Sequence, residues 1–303
     1  MSSTTETLLT PEQQLVSVAR VAALARETMF IPEAQRDRNE NTLWRTMQGG
    51  IRMLSRRYAM SDLPIGHFEI EIRNTWECFV IGTSYTDADH PAQDRFVRVV
   101  LLAREYGLLS RPRRQAEGVE EENEEEGEQA ITRGGRIWTD LPFLVDTLRE
   151  GWKDLMGRDD DTEGVLERRV NLTAAIARLA SVGVMKGELG QCGLVVMATA
   201  LEREGAIAED TLKLVEVWLR FAGDALLRLS LAGVKADEAW TAGMDGLISP
   251  QLLGEGFNKA RFIAWKNRLG ELKIAATDRE TDGMDIVCAN MIDNVWDSFY
   301  GLH

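Results

Sequence analysis

Apolar residues recur at intervals of three and four along almost the whole chain, the spacing that gathers side chains onto one face of an α-helix. Thr10 followed by Pro11 has the form of a cap and a first helical position, and Leu15, Val18, Ala22, Leu24 and Ala25 continue at helical spacing. Leu43, Trp44, Met47, Ile51, Leu54 and Tyr58 make a second face, which Gly49 and Gly50 weaken by about 1 kcal/mol each relative to alanine. The stretch HFEIEIRNTWECFVIG, from His67, carries two signals at once. Phe68, Ile70 and Ile72 alternate like a strand, while Ile72, Trp76, Phe79 and Val80 step like a helix; with no partner strand nearby, the expectation is helix. A fourth helix is expected from about Pro91 through Phe96, Val99, Val100 and Ala103, stopping at Gly107.

From Ser110 to Gly135 the pattern gives way to Arg, Pro, Gly and Glu, a composition that cannot bury enough surface to offset chain entropy. Residues 110–135 therefore read as an acidic, disordered and flexible insertion. Periodicity returns in WTDLPFLVDTLREGWKDL, where Asp140 is placed to cap the following turn and Leu141, Leu144, Leu148, Trp152 and Leu155 form one stripe. Further helices are expected near 162–182, 188–204, 209–230, 258–273 and 279–299, the last introduced by TDRE at Thr277, which has the form of a capping box. No internal repeat of fixed period interrupts the series. The expected fold is all-α, a single large domain of about nine or ten helices over residues 1–303.

Composition narrows the partners. The formal charge is −14, but Glu117 to Glu128 alone carries eight glutamates, so the remainder is only mildly acidic. A phosphate-backbone binder needs a basic face, and the only dense basic cluster, Arg111 to Arg114, sits beside the glutamates that neutralise it; nucleic acid is not an expected partner. Cys78, Cys192 and Cys288 are odd in number and far apart in apolar contexts, which predicts reduced buried thiols rather than disulfides or a zinc site. No window of 18 uncharged apolar residues and no leader-like N-terminus is present, so a cytoplasmic chain with no membrane span is expected. Nothing in the sequence fixes oligomeric state, and homo-oligomerisation stays open.

Several helical segments, taken in order, carry a resemblance. WTDLP is followed by LERRVNLTAAIARLASVGV, MATALEREG, VEVWLRFAGDALL and GFNKARFIAWKNRLGEL. Together, over about Trp138 to Leu272, they resemble an uncharacterised fungal family of helical proteins defined only as a domain of unknown function. Where that family shows a Trp-rich helix, this chain has Arg261, Phe262 and Trp265. The resemblance implies a helical fold and a fungal cytosolic setting, and it brings no catalytic residue with it.

The chemical motifs are few. Asp159, Asp160 and Glu163 in RDDDTEG match the spacing that gathers carboxylates around magnesium and a diphosphate, but the downstream Asn/Asp-x-x-x-Ser/Thr-x-x-x-Glu partner motif is missing and the acids suit a helix N-terminus. There is no HExxH, GxSxG, GxxxxGK[ST] or GxGxxG after a strand. Zinc, nucleotide and serine-hydrolase chemistry thus lack their usual entry points, and no cofactor is expected. His67 beside Phe68 reads as a surface or capping residue before an acid or base. Glu202 and Glu216 flank apolar helices, where partial burial would raise a carboxyl pKa.

Eight tryptophans remain. Most rings on helical stripes fill the core, yet aromatic walls with a few polar groups also suit a planar or polycyclic ligand. The functional expectation is a cofactor-independent biosynthetic enzyme of fungal specialised metabolism, a cyclase or isomerase acting on an apolar polycyclic or polyene-like small molecule. Its candidate catalytic residues are Asp140, Glu216 and Arg261, and its candidate substrate-binding residues are Trp152, Trp218 and Trp265. The alternative is a non-catalytic helical protein that binds a ligand or another protein.

Overall fold

The computed structural model describes residues 11–31, 33–112, 127–158, 164–203, 205, 207–243, 254–277 and 283–301. Among them the fold is all-α, with ten helices: α1 Pro11–Phe30, α2 Glu33–Met60, α3 Ile65–Tyr85, α4 Ala92–Glu105, α5 Leu144–Met156, α6 Val165–Ser181, α7 Lys186–Leu201, α8 Glu209–Ala232, α9 Lys259–Thr277 and α10 Met284–Tyr300. The chain forms two compact units, one of Met1–Thr86 with Asp94–Leu148, the other of Asp87–Gln93 with Arg149–His303.

The first unit is built on α1, α2 and α3, which contact one another pairwise. The stripe read from α2 is buried at Leu43, Met47, Ile51, Leu54 and Tyr58. In α3 the ambiguous stretch resolves as helix because the residues that bury are Phe68, Ile72, Trp76 and Phe79, at steps of four, four and three, while Ile70 stays 42% exposed. Within this unit, two indoles fix α2 and α3 to the WTDLP segment. Trp76 Nε1 donates to the Pro142 carbonyl at 2.9 Å, and Trp138 Nε1 donates to Ser55 Oγ at 2.8 Å, with the two rings edge to face.

Residues 110–135 differ in part from expectation. The described ends of this stretch form two short antiparallel pairs, β1 Ser110–Arg111 with β2 Glu128–Gln129, and β3 Ile131–Thr132 with β4 Gly135–Arg136. The first pair is held by Arg111, whose guanidinium donates to both Glu128 oxygens at 2.9 Å and to the carbonyls of Ser61 and Leu63. Residues 113–126 lie outside the described residues. Asp140 faces backward and not forward: it accepts from the Arg136 amide at 2.8 Å, four residues upstream, and α5 begins only at Leu144. Leu141 and Phe143 turn the chain between them with φ of 47° and 68°. Gly135, at φ 115°, permits the approach, since a Cβ there would stand 2.9 Å from Asp140.

In the second unit α6 runs through the core, buried at nearly every position from Asn171 to Ala180, and packs against α7 and α8. α7 is also apolar on all sides, and Gly190 and Gly193 bring it close enough to α8 that an added Cβ would collide with Leu229, Leu226 and Trp218. α8 breaks regular geometry at Ala222, next to Gly223, which meets Val295 of α10. α6 begins after Gly164, and Asp159 to Glu163 lie outside the described residues. The capping box expected at Thr277 runs into residues 278–282, which lie outside the described residues. Thr277 ends α9, its hydroxyl donating to the Lys273 carbonyl at 2.8 Å, and α10 begins at Met284 after Gly283. No helix of the described residues is long and apolar enough to cross a membrane.

Candidate functional site

In the first unit, α1, α2 and α3 enclose a half-open cavity of about 420 Å³. α2 lines it with Thr46, Gly49, Gly50, Met53 and Arg57, positions that share a helix face, and α3 with Glu71, Asn74, Thr75 and Cys78, spaced three, one and three apart. Val21 of α1 completes an apolar wall with Met47 and Leu54. Arg57 Nη1 and Glu71 Oε1 stand 2.6 Å apart, with side chains only 11% and 10% exposed. Arg57 Nε is buried behind this wall without a hydrogen-bond partner, out of reach of the cavity. Burial pushes the Glu71 carboxyl above its ordinary range, against the opposing pull of Arg57 and His67. Burial also pushes the Cys78 thiol up to about 12, so it stays protonated and inert as a nucleophile near neutral pH. A weakly acidic carboxyl, the guanidinium paired with it and apolar walls can together hold a carbonyl compound and move a proton on it.

The residues singled out in the sequence occupy other places. Asp140, in the first unit, is held below the usual carboxylate range by the Arg136 amide and guanidinium. The other five lie in the second. Arg261 donates to both oxygens of Glu202, and Trp265 Nε1 donates to the same carboxylate at 2.6 Å, so these two candidates converge on a third residue noted in the sequence. The Trp265 ring packs against Phe257 and Phe262. Burial lifts the Glu216 carboxyl, with Arg220 opposing and Asp89 adding to the shift. Trp152 donates to Thr173 Oγ1 at 3.1 Å and packs edge-on against Trp240. Trp218 covers Gly193, and burial raises the Cys192 thiol well above its ordinary value. All three tryptophans are fully buried, and none of the six candidates lines the α1–α2–α3 cavity. His67 is exposed, and no metal-holding group of three or more His, Cys, Asp or Glu occurs among the described residues.

Sequence reasoning passed over Arg57 and Glu71. The available signal was the run Glu71, Asn74, Thr75, Cys78, a polar and thiol face on a helix whose opposite face is strongly apolar.

The profile of a family described as "Protein of unknown function (DUF3632)" matches residues 76–269; of the cavity-lining side chains, only Cys78 lies inside that span. The chain is also 23% identical over 264 residues to "Oxopyrrolidines biosynthesis cluster protein G" of Penicillium oxalicum, an alignment covering 80% of this chain and 70% of that protein. No solved structure matches.

Proposed function

This chain belongs to the DUF3632 family, and from that premise we propose that it serves a step of fungal specialised metabolism, as a cofactor-independent isomerase or cyclase acting on an apolar carbonyl compound. The relative's place in a biosynthesis cluster supports the metabolic setting. The chemistry rests on one observation, the buried Arg57–Glu71 pair in the wall of an apolar cavity whose volume falls within the range of small-molecule sites.

In this reading Glu71, as carboxylate, takes a proton from the carbon beside a carbonyl. The electron pair passes to the carbonyl oxygen, which accepts a hydrogen bond from the Arg57 guanidinium. Return of the proton to the same carbon or to a conjugated one completes an isomerisation with every atom retained. Addition of the enolate carbon to a second carbonyl of the same molecule, whose oxygen takes the proton, completes a cyclisation. An oxopyrrolidine is itself a ring carbonyl compound, so the relative's cluster deals in molecules of this class.

The test is genetic and chemical together. A strain lacking the gene should accumulate a precursor isomeric with the missing product; wild-type protein should restore the product, and Glu71→Gln, folded by circular dichroism, should not. Restoration by Glu71→Gln would leave the cavity as a ligand-binding site without proton chemistry and overturn the catalytic reading.

A further inference from the structure

Gly49 and Gly50 stand in the middle of a long helix, where glycine is disfavoured, and neither of the usual reasons for glycine applies to them. Neither has a positive φ, and a Cβ added at either would meet no atom within 4 Å, so no turn and no close helix contact requires them. Both line the cavity. Their effect is to leave two successive positions of the α2 wall as bare backbone, between the core residue Met47 and the exposed Met53. Along the same helix, Gly50 and Arg57 are separated by seven residues, about 10 Å of axial rise. That is the scale of two fused rings bearing an acyl group.

Building on the carbonyl-binding reading above, we propose that Gly49 and Gly50 are specificity-determining residues: they form a flat floor that admits a planar ring system against α2, with its carbonyl oxygen at the Arg57 guanidinium. Arg57, which lines the same cavity, supplies the polar end of the subsite, and the glycines supply its shape. A flexible chain gains nothing from a flat wall, whereas a rigid ring system makes its contacts there without losing conformational entropy.

The probes that separate these are 2-acetylnaphthalene and 2-dodecanone, methyl ketones of equal carbon count, one flat and one slender, titrated calorimetrically into the full-length protein. Wild type is expected to bind the flat ketone at least about tenfold more tightly. Gly50→Leu should lose that preference while still binding the slender ketone. Gly50→Ala should melt at a higher temperature than wild type and bind the flat ketone several-fold more weakly, so stability and binding move in opposite directions. A purely structural glycine would not show this. Equal affinity of wild type for both ketones, undiminished flat-ketone binding by Gly50→Leu, or a lower melting temperature for Gly50→Ala would each overturn the proposal and leave the cavity reading intact. Failure of wild type to bind either ketone would instead remove the cavity reading, and this proposal with it.

Discussion

Glu71 is under two opposed influences, and the direction of its shift says which prevails. Arg57, in contact, favours the carboxylate; removal from water favours the neutral acid, and burial wins. A carboxyl whose pKa is higher in the folded chain than in the unfolded one stabilises the fold fully below the ordinary glutamate value. That contribution is lost as pH rises through the folded value. Glu71→Gln cannot titrate, so the melting temperature of wild type relative to this variant should be most favourable in acid and decline toward neutral pH. Melts from about pH 4 to pH 8 check this, and the reverse trend would mean that Arg57 controls the group. On the proposed reading of Glu71 as a base, which requires its ionised form, kcat/KM should rise with pH through a value above that of ordinary glutamate. Trp218 poses a simpler question. Its ring is fully buried over Gly193, so Trp218→Ala should cost roughly 3–5 kcal/mol, read as a lowered urea midpoint.

At the scale of elements, the same substitution has opposite consequences in two helices. In α7, a Cβ on Gly193 would stand 2.9 Å from the Trp218 indole and 2.7 Å from Leu226, so Gly193→Ala should destabilise by about 1–3 kcal/mol despite alanine's better helix propensity. In α2, Gly50→Ala meets open space, and propensity alone acts. Thermal melts of the two variants, moving in opposite directions, check the pair. The helices themselves were legible, because a core-facing helix must repeat every three or four residues whatever its partner; Phe68, Ile72, Trp76 and Phe79 settled an ambiguous stretch that way. The site was not legible. Gly49 and Gly50 read only as a weakness in a helix, since nothing local reveals that their missing side chains open onto space. Glu71 and Arg57 lie fourteen positions apart on different helices, and their contact is a product of packing. A cap misled for a related reason: Asp140 has the residue type of a cap, but Arg136 was the nearer partner.

At the scale of the whole molecule, much of the acidity is concentrated between β1 and β2. Arg113 to Glu126 contains seven glutamates. The ends of this stretch are joined without it, because Ser110 pairs with Gln129, Arg111 pairs with Glu128, and Tyr58 donates to the Glu128 carbonyl at 3.1 Å. Paired residues on antiparallel strands stand about 5 Å apart, so a short linker can bridge them. Replacing residues 113–126 with a few Gly and Ser residues should therefore move the melting temperature by less than about 3 °C, the shift that roughly 1 kcal/mol makes in a chain of this size. Arg111→Ala should do more harm than the removal of all those charges, since the guanidinium is 10% exposed and serves one carboxylate and two carbonyls that would be left unpaired. Differential scanning calorimetry of the two variants decides the point. A large loss from the linker variant with little from Arg111→Ala would show that the glutamate run is bound elsewhere on the protein, and that the strand pair does not by itself close this part of the chain.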